Sequence, residues 1–332
     1  MKRVEYRRRG PVPQDVVEVV ERETPAPGQG EALVEVLAAP INPSDVLTLA
    51  GDYGTLPPLP AVGGNEGVGR VVALGADAHG PGPGQMVLLP VGIGTWSTHV
   101  VAPAKALMAL PEGADPVQLS MLTVNPPTAR LLLTDTVELP PGSWVLQNAA
   151  NSAVGGYLVQ LAKARGLRTV NVVRRESAAE VVEEQGGDVV LVDGDDLAAR
   201  VESATGGAAI TLGIDAVGGM ATERLAQSLA SGATLVNYGA MGGEACAISP
   251  ASLIFRGITL RGFWLSWWYK QAEPQVRAAL FAELAGLIAQ GQLSARVQTA
   301  YAIDDAAQAV AAAASGGRDG KVVLLPNGAI GG

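Results

Sequence analysis

The chain has 332 residues, of which 48% are hydrophobic, and it carries a formal net charge of -9 with a pI near 4.8. That length exceeds what one hydrophobic core usually serves, so we expect two domains. The acidic balance argues against nucleic acid or an anionic membrane as partner, because neutralising phosphates requires clustered Lys and Arg.

The first residues, MKRVEYRRRG, form a basic stretch, but they lack the length and serine content of a transit peptide. No apolar run approaches the roughly 18 residues that span a bilayer, so we expect a cytoplasmic protein. Cys246 is the single cysteine, which excludes an intramolecular disulfide and a Cys-rich zinc cluster. His79 and His99 stand next to no other metal ligand, so no metal site is predicted.

The first third of the chain, up to about residue 115, contains short β-type runs between Gly/Pro turns: ALVEVLAAP, GRVVALG, QMVLLPVG and THVVAP. That spacing is typical of an all-β unit. Within it, the segment GDYGTLPPLP (residues 51–60) surrounds Tyr53 with glycines and prolines. A tyrosine in such a loop usually lies over the protein's own surface, so composition alone assigns it no chemistry.

From about Ser143 the pattern changes to apolar strands that alternate with helical segments, beginning with WVLQNA, VGGYLVQLAKARG and RTVNVV. This alternation predicts βαβ units and a parallel sheet. It continues through ITLGIDAVG and ATLVNYGAM to a helix near residues 275–290. The tail then has the pattern strand, helix, strand, and we expect it to return to the first module.

A tight loop between a predicted strand and a predicted helix lies in VLQNAANSAVGG. Exposed backbone N–H groups and the positive end of the helix can hold a pyrophosphate there. Against the pattern GxGxxG, however, Ala150 and Ser152 occupy the first two glycine positions and only Gly155 matches. An ordinary strand-to-helix turn therefore remains an alternative.

The end of the next strand, RTVNVVRR, bears on the choice of nucleotide. NAD-binding chains place an acid about 20 residues beyond the glycine loop, on the ribose hydroxyls. Here Arg174 and Arg175 occupy that place, and guanidinium groups suit a 2′-phosphate. This favours NADP(H) over NAD(H), although Glu176 follows directly and both arginines could instead open a solvated helix.

The order of parts resembles the medium-chain dehydrogenase/reductase superfamily, and the motifs resemble its metal-free 2-enoyl thioester reductases. The matching segments cover nearly the whole chain: INPSDV, GDYGTLPPLPAVGGNEGVG, GIGTW, TVNPPTA, QNAANSAVG, LRTVNVVRR, VNYGAM, LIF, RGFWLS and GKVVL. The resemblance implies an α/β fold in which residues 1–116 and 292–332 form a GroES-like β-rich catalytic domain. Residues 117–291 would form a Rossmann NADP(H)-binding domain with a doubly wound parallel sheet.

The resemblance also assigns roles to residues. Tyr53 occupies the family's proton-donor position, and Arg174 and Arg175 hold the 2′-phosphate. The remaining cofactor contacts that it implies are Asn125, Asn151, Ser152, Ala153, Val154, Tyr238, Gly239, Ala240, Met241, Phe263, Trp264, Leu265, Ser266 and Lys321. The aromatic stretch FWLSWWY also fits a core cluster or a dimer contact, and the two interpretations are compatible.

Zinc-dependent relatives in the superfamily carry a Cys before an Asp, and then GHE. Here Ser44 and Asn65 occupy the ligand positions, and neither binds zinc competently. Two departures from the reductase pattern also occur. Arg130 follows Thr128 and Ala129 where an aromatic residue is common, and a basic pair after the FWLS segment is reduced to Tyr269 and Lys270.

The predicted reaction is NADPH-dependent reduction of the C2=C3 bond of a trans-2-enoyl thioester, carried by coenzyme A or an acyl carrier protein, in a cleft between the two domains. Hydride goes to Cβ, and Tyr53 donates the proton to Cα, since a phenol holds its proton at neutral pH. The alternatives are a metal-free quinone or activated-alkene oxidoreductase, and a nucleotide-binding protein without turnover. The family expectation for assembly is a homodimer through the Rossmann edge strands. Sequence alone leaves open the acyl chain length and the identity of the carrier.

Overall fold

A computed structural model describes residues 1–329, and the chain divides into two compact units. The first unit comprises Met1–Val124 and the chain from Leu280 onward, and the second unit comprises Asn125–Ala279. The sequence predicts these boundaries after residues 116 and 291. The observed second boundary, between Ala279 and Leu280, lies inside a helix, Pro274–Ala289. The buried residues of this helix all belong to the first unit: Leu280, Leu284, Ala285 and Ile288.

The strands, numbered in chain order, are β1 (Lys2–Tyr6), β2 (Val17–Glu21), β3 (Glu31–Ile41), β4 (Ala61–Val62), β5 (Val68–Leu74), β6 (Met86–Leu88), β7 (His99–Pro103), β8 (Met108–Ala109), β9 (Trp144–Gln147), β10 (Arg168–Val173), β11 (Val189–Val192), β12 (Leu212–Asp215), β13 (Thr234–Asn237), β14 (Thr259–Gly262), β15 (Val297–Ala302) and β16 (Lys321–Leu325). The helices are α1 (Pro43–Ala50), α2 (Pro116–Leu119), α3 (Asn125–Thr134), α4 (Ala153–Ala164), α5 (Ala179–Glu184), α6 (Leu197–Thr205), α7 (Gly219–Ser228), α8 (Leu265–Gln271), α9 (Pro274–Ala289) and α10 (Ala306–Ala314). No helix in the described part of the chain is long and apolar enough to cross a membrane.

The first unit is built on the β-type runs of the N-terminal third. Its larger sheet has the order β15-β16-β3-β5-β6-β8, with β7 also paired to β3, and its smaller sheet has the order β2-β1-β4. The C-terminal strand β16 pairs antiparallel with β3, so the tail returns to this unit as predicted. The core packs α10 against strands of both sheets and includes the fully buried Trp96.

The first unit also contains the helix α1, which the all-β expectation for this region missed. The local signals for this helix are in the sequence: Asn42 and Asp45 form a capping box, Pro43 is the first helical residue, and Gly51 ends the helix with φ of 98°. A helix of eight residues is too short to show a clear helical periodicity, so the capping residues are the stronger sequence signal for α1.

The second unit is a six-stranded parallel sheet with the order β11-β10-β9-β12-β13-β14. Each strand from WVLQ to TLRG is where the alternating pattern predicts it. The chain starts at β9 and β10, runs outward to β11, and then crosses back to β12 on the other side of β9. The strand order reverses between β9 and β12, and ligands of such sheets bind outside the carboxyl ends of the strands at that point.

Candidate active site

The loop after β9, to which we assign the cofactor's pyrophosphate, is closely packed at the start of α4. Ser152 caps α4, and its hydroxyl accepts a hydrogen bond from the Gly155 N–H at 3.1 Å. A side chain at Gly155 would clash with the loop, since a Cβ there would lie 2.4 Å from the carbonyl oxygen of Ala150. Asn151, Ser152 and Ala153 remain half-buried. The loop thus packs closely on itself at the start of a twelve-residue helix, and its pyrophosphate contact stays a prediction.

A buried carboxylate ties this loop to the neighbouring strands. Asp215, at the end of β12, accepts a hydrogen bond from the Asn148 side chain at 2.6 Å and one from Asn237 at 3.0 Å. It also accepts from the Thr222 hydroxyl at 2.7 Å and from two backbone N–H groups. Asn148 in turn accepts from the Ala216 N–H. Asp215 therefore fixes the ends of β9, β12 and β13 at the point where the strand order reverses.

Sequence reasoning did not single out Asp215 or Asn148. The only signal was a polar residue at the end of each apolar strand, in VLQN and LGID. Since their hydrogen bond joins residues 67 positions apart, only the strand order brings them together.

The two predicted 2′-phosphate ligands follow β10 directly. Arg174 is exposed and Arg175 is half-buried, and a short 3₁₀ turn at Glu176–Ala178 comes next. They lie at the same edge of the sheet as the loop after β9, because β9 and β10 are adjacent and parallel. This edge carries cationic side chains where an NAD-specific site carries an acid.

The other predicted cofactor residues of this unit follow β13 and β14 at the same edge. The Tyr238 side chain is within hydrogen-bonding reach of Ser152, and burial raises the pKa of that phenol. Gly239 is half-buried, whereas Ala240 and Met241 are exposed. After β14, the segment comprises the half-buried Phe263 and Ser266, the exposed Trp264 and the buried Leu265.

Asn125 is buried and begins α3, which packs against α4. The fold of the second unit therefore brings all its predicted cofactor residues to the carboxyl edge of the sheet or to a helix beside it. Their contacts with a cofactor remain predictions.

Tyr53 and Lys321 lie in the first unit. Tyr53 is half-buried in a bend that follows α1, and residues 54–60 beyond it are exposed. Lys321 begins β16 and is 5% exposed. Its ammonium donates to the carbonyl of Ile41 at 3.3 Å and to the side-chain oxygen of Asn42. The predicted cofactor contact of Lys321 stays a prediction, since its described partners all belong to its own unit.

A charged cluster is buried beside Asn65, one of the two positions to which the sequence resemblance assigns a zinc ligand. Asp45 accepts from the Asn65 side chain at 2.7 Å and from the Asn42 N–H at 2.8 Å. Glu66 accepts from the Asn42 side chain at 2.7 Å and from the hydroxyl of Thr123 at 3.0 Å. Lys321 attracts both carboxylates electrostatically, while its own hydrogen bonds go to Ile41 and Asn42.

This donor set does not fit zinc. Asn65 binds Asp45 with its amide, and the described residues contain no group of three His, Cys, Asp or Glu that could hold a metal ion. Asparagine and serine are not competent zinc ligands, and the cluster already satisfies its own polar groups.

Burial shifts the ionisation of the three charged groups towards their neutral forms. Desolvation raises the pKa of Asp45 to about 6 and that of Glu66 to about 7, and it lowers the pKa of Lys321 to about 8. The attraction between Lys321 and the two carboxylates opposes each of these shifts. We call this buried cluster of Asp45, Glu66 and Lys321 the ionic core.

A β-rich unit joined to a nucleotide-type parallel sheet defines a medium-chain dehydrogenase/reductase. Residues 28–112 match the alcohol dehydrogenase GroES-like domain, and residues 153–282 match the zinc-binding dehydrogenases. Within that class, the chain belongs to the family of the mitochondrial enoyl-[acyl-carrier-protein] reductases. It is 39% identical to the rat protein over 306 residues, which cover 90% of this chain and 82% of the relative.

Two solved structures are similar to the chain over 98% of its length. One, described as a candidate NADPH:quinone reductase from Bacillus thuringiensis, has a TM-score of 0.89, 28% identity and 98% coverage of its own chain. The other is the complex of Etr1p with NADP and crotonyl-CoA, with a TM-score of 0.86, 24% identity and 99% coverage of its own chain. Etr1p is a mitochondrial 2-enoyl thioester reductase of Candida tropicalis, and at this identity the likeness shows the fold alone.

Proposed function

We propose that this enzyme reduces the C2=C3 double bond of trans-2-enoyl thioesters with NADPH. The similarity to the rat enoyl-[acyl-carrier-protein] reductase over nine-tenths of the chain carries this proposal. The phosphate-type loop, the arginine pair after β10 and the unsuitability of the ionic core for zinc all support it. A metal-free reduction needs a proton source, and Tyr53 is the residue to which we assign that role.

The chemistry divides between the cofactor and the chain. NADPH, when bound, supplies a hydride to the β carbon of the conjugated thioester. Tyr53 then donates its phenolic proton to the α carbon, and a positioned general acid is typically worth ~10²–10⁴ in rate. The loop after β9 binds the pyrophosphate, and residues 238–241 and 263–266 line the nicotinamide side.

A substrate panel tests the reaction class. Purified protein is given crotonyl-CoA, a longer enoyl-CoA, an enoyl-acyl carrier protein and a quinone, each with NADPH or NADH, and nicotinamide absorbance is followed. We expect oxidation of NADPH with the enoyl thioesters. Turnover of the quinone alone would instead support the second candidate, a quinone oxidoreductase, which the 28% identity to the Bacillus thuringiensis protein favours.

The arginine pair makes cofactor choice testable. Replacing Arg174 and Arg175 with serine should raise the KM for NADPH by about 10²-fold or more, since charge-assisted hydrogen bonds contribute about 1.5–3 kcal/mol each and two are removed. The KM for NADH should change by only a few fold. Arg200→Ser is the matched control, because Arg200 lies on α6 and pairs with Asp196 at 2.8 Å. An equal rise in the KM for NADPH and for NADH would show that the two arginines do not act through the 2′-phosphate.

We also propose that two copies of the chain associate through the edge of the parallel sheet. β14 ends the strand order in the described residues, and its residues are largely exposed. The π-helical turn before it, Ala251–Phe255, presents Ile254 and Phe255 with 71% and 84% of their surface exposed. Large apolar side chains exposed together are typical of a protein interface.

Substitution of Phe255 with aspartate should turn the dimer into a monomer, because a charge would then be buried at the interface without a partner. Light scattering after size exclusion measures the mass. Val276→Asp is the control, since Val276 is also exposed but lies on α9. A wild-type protein that remains monomeric at tens of micromolar would contradict the dimer.

A further inference from the structure

The N-terminal segment runs beside the segment that carries Tyr53. Tyr6 of β1 pairs with Ala61 of β4, at the end of the Gly/Pro stretch. The Gly10 N–H donates to the carbonyl of Leu49 at 3.1 Å, just before that stretch begins. Residues 6–10 therefore hold the chain on both sides of residues 51–60.

Arg9 adds a contact inside the stretch itself. Its guanidinium donates a hydrogen bond to the carbonyl of Pro57. Its aliphatic stem lies over Gly51, where a Cβ would be 3.6 Å from the Cβ and Cδ of Arg9. The Nε atom of Arg9 is buried and has no hydrogen-bond partner in the described structure. Arg9 is thus packed against the segment along its stem and bonded to it at its tip.

The stretch needs such support. Residues 54–60 are exposed, and an exposed Gly/Pro loop has few apolar contacts to limit its motion. A general acid works only within hydrogen-bonding reach of the atom it protonates, and a misplacement of about 1 Å can cost ~10²-fold in rate. A residue that contacts both Gly51 and Pro57, on either side of Tyr53, therefore restricts the position of the Tyr53 phenol.

We propose that Arg9 is a positioning residue that holds Tyr53 for proton transfer. The inference rests on the proposed function, because it assigns Arg9 an effect on rate only through Tyr53. The neighbouring Arg8 carries the same charge and is exposed, but it donates to the carbonyl of Asp15 at 3.0 Å, outside the Tyr53 segment. One of two adjacent arginines therefore has this role and the other does not.

A double-mutant cycle on the full-length enzyme tests the proposal with crotonyl-CoA and NADPH. Arg9→Met keeps the stem over Gly51 and removes the hydrogen bond to Pro57. We expect it to lower kcat by about tenfold or more in the wild-type background and to leave the KM for NADPH unchanged. In the Tyr53→Phe background the same change should have no further effect on kcat. Arg8→Met should leave kcat at the wild-type value.

Each outcome bears on one claim. Wild-type protein that does not turn over crotonyl-CoA overturns the proposed function. If the wild type is active and Tyr53→Phe leaves kcat intact, Tyr53 is not the proton donor and the positioning role of Arg9 is overturned with it. If Tyr53→Phe lowers kcat but Arg9→Met does not, or if Arg9→Met lowers kcat equally in both backgrounds, the positioning role of Arg9 is overturned. An equal loss of kcat in Arg8→Met would attribute the effect to the loss of a positive charge, and it would also overturn the positioning role of Arg9. Should Arg9→Met fail to fold, Arg9→Lys takes its place in the same cycle with the same criteria, since an ammonium cannot repeat the guanidinium geometry.

Discussion

Replacing Tyr53 with phenylalanine should lower kcat for crotonyl-CoA reduction by ~10²–10⁴, the usual contribution of a positioned general acid. The variant loses one hydroxyl from a half-buried side chain in a bend, so the fold should be unaffected. The KM for NADPH should stay within about twofold, because Tyr53 is not among the residues that we assign to the cofactor. Stopped-flow and steady-state measurements of nicotinamide absorbance give both constants.

Tyr301→Phe is the matched control for the loss of a phenol. Tyr301 is half-buried like Tyr53 and belongs to the same unit, but it lies on the edge strand β15. Quinone reduction can take its protons from water, so Tyr53→Phe should spare any quinone activity. A variant that keeps wild-type kcat on enoyl thioesters would mean that another group or solvent protonates the α carbon.

Much of the second unit could be predicted from the sequence. Its strands are apolar runs, its helices have period 3.6, and glycines mark the turns between them, so local pattern and tertiary structure agree. Apart from Asn125 on α3, the residues of this unit assigned to the cofactor follow strands β9, β10, β13 and β14, and the parallel order brings these strand ends to one edge. Predicting the strands was sufficient to predict which side chains share that edge.

The ionic core could not be predicted in this way. Its hydrogen bond between Asn42 and Lys321 joins residues 279 positions apart, and neither residue carries a local signal of the other. The resemblance assigned Lys321 to the cofactor, whereas the described bonds of its ammonium stay within its own unit. Arg9 is a similar case, since three consecutive arginines give no indication that one of them contacts Pro57. Such pairings depend on long-range topology, which the local pattern does not contain.

Substitution of Lys321 with methionine should be the most destabilising single change that we predict. It leaves Asp45 and Glu66 buried without the cation that attracts them, and removing one partner from buried opposite charges typically costs about 3–5 kcal/mol. Chemical denaturation at pH 8 measures the loss as a shift in midpoint. Lys2→Met is the control, because Lys2 forms an exposed pair with Asp304, and exposed pairs contribute little.

The size of that loss should depend on pH in a direction fixed by the pKa shifts. Burial raises the pKa of Asp45 to about 6 and that of Glu66 to about 7, above their unfolded values near 4. A raised pKa contributes stability that is present below the unfolded value and lost as the pH rises through the folded value. Without Lys321 both values rise further, so the variant loses more stability than the wild type between pH 6 and pH 8.

Lys321 itself acts in the same direction. Its folded pKa of about 8 is below the unfolded value, so its contribution is present above about 10.5 and is lost as the pH falls through 8. The wild type therefore gains stability from this group as the pH rises towards 8 and beyond, and the variant cannot. Both effects make the difference in unfolding free energy larger at pH 8 than at pH 6.

The double variant Lys321→Met with Glu66→Gln separates charge from packing. Neutralising Glu66 removes one of the two uncompensated carboxylates while keeping one oxygen, which can accept from either Asn42 or Thr123, since these two donate to different oxygens of Glu66. The double variant should therefore be more stable than Lys321→Met alone at pH 8, and the two should converge at pH 6. If Lys321→Met instead loses the same unfolding free energy at pH 6 and at pH 8, the contribution of Lys321 is one of packing. A rise in the KM for NADPH at pH 6, where Lys321→Met is most stable, would support the predicted cofactor contact of Lys321.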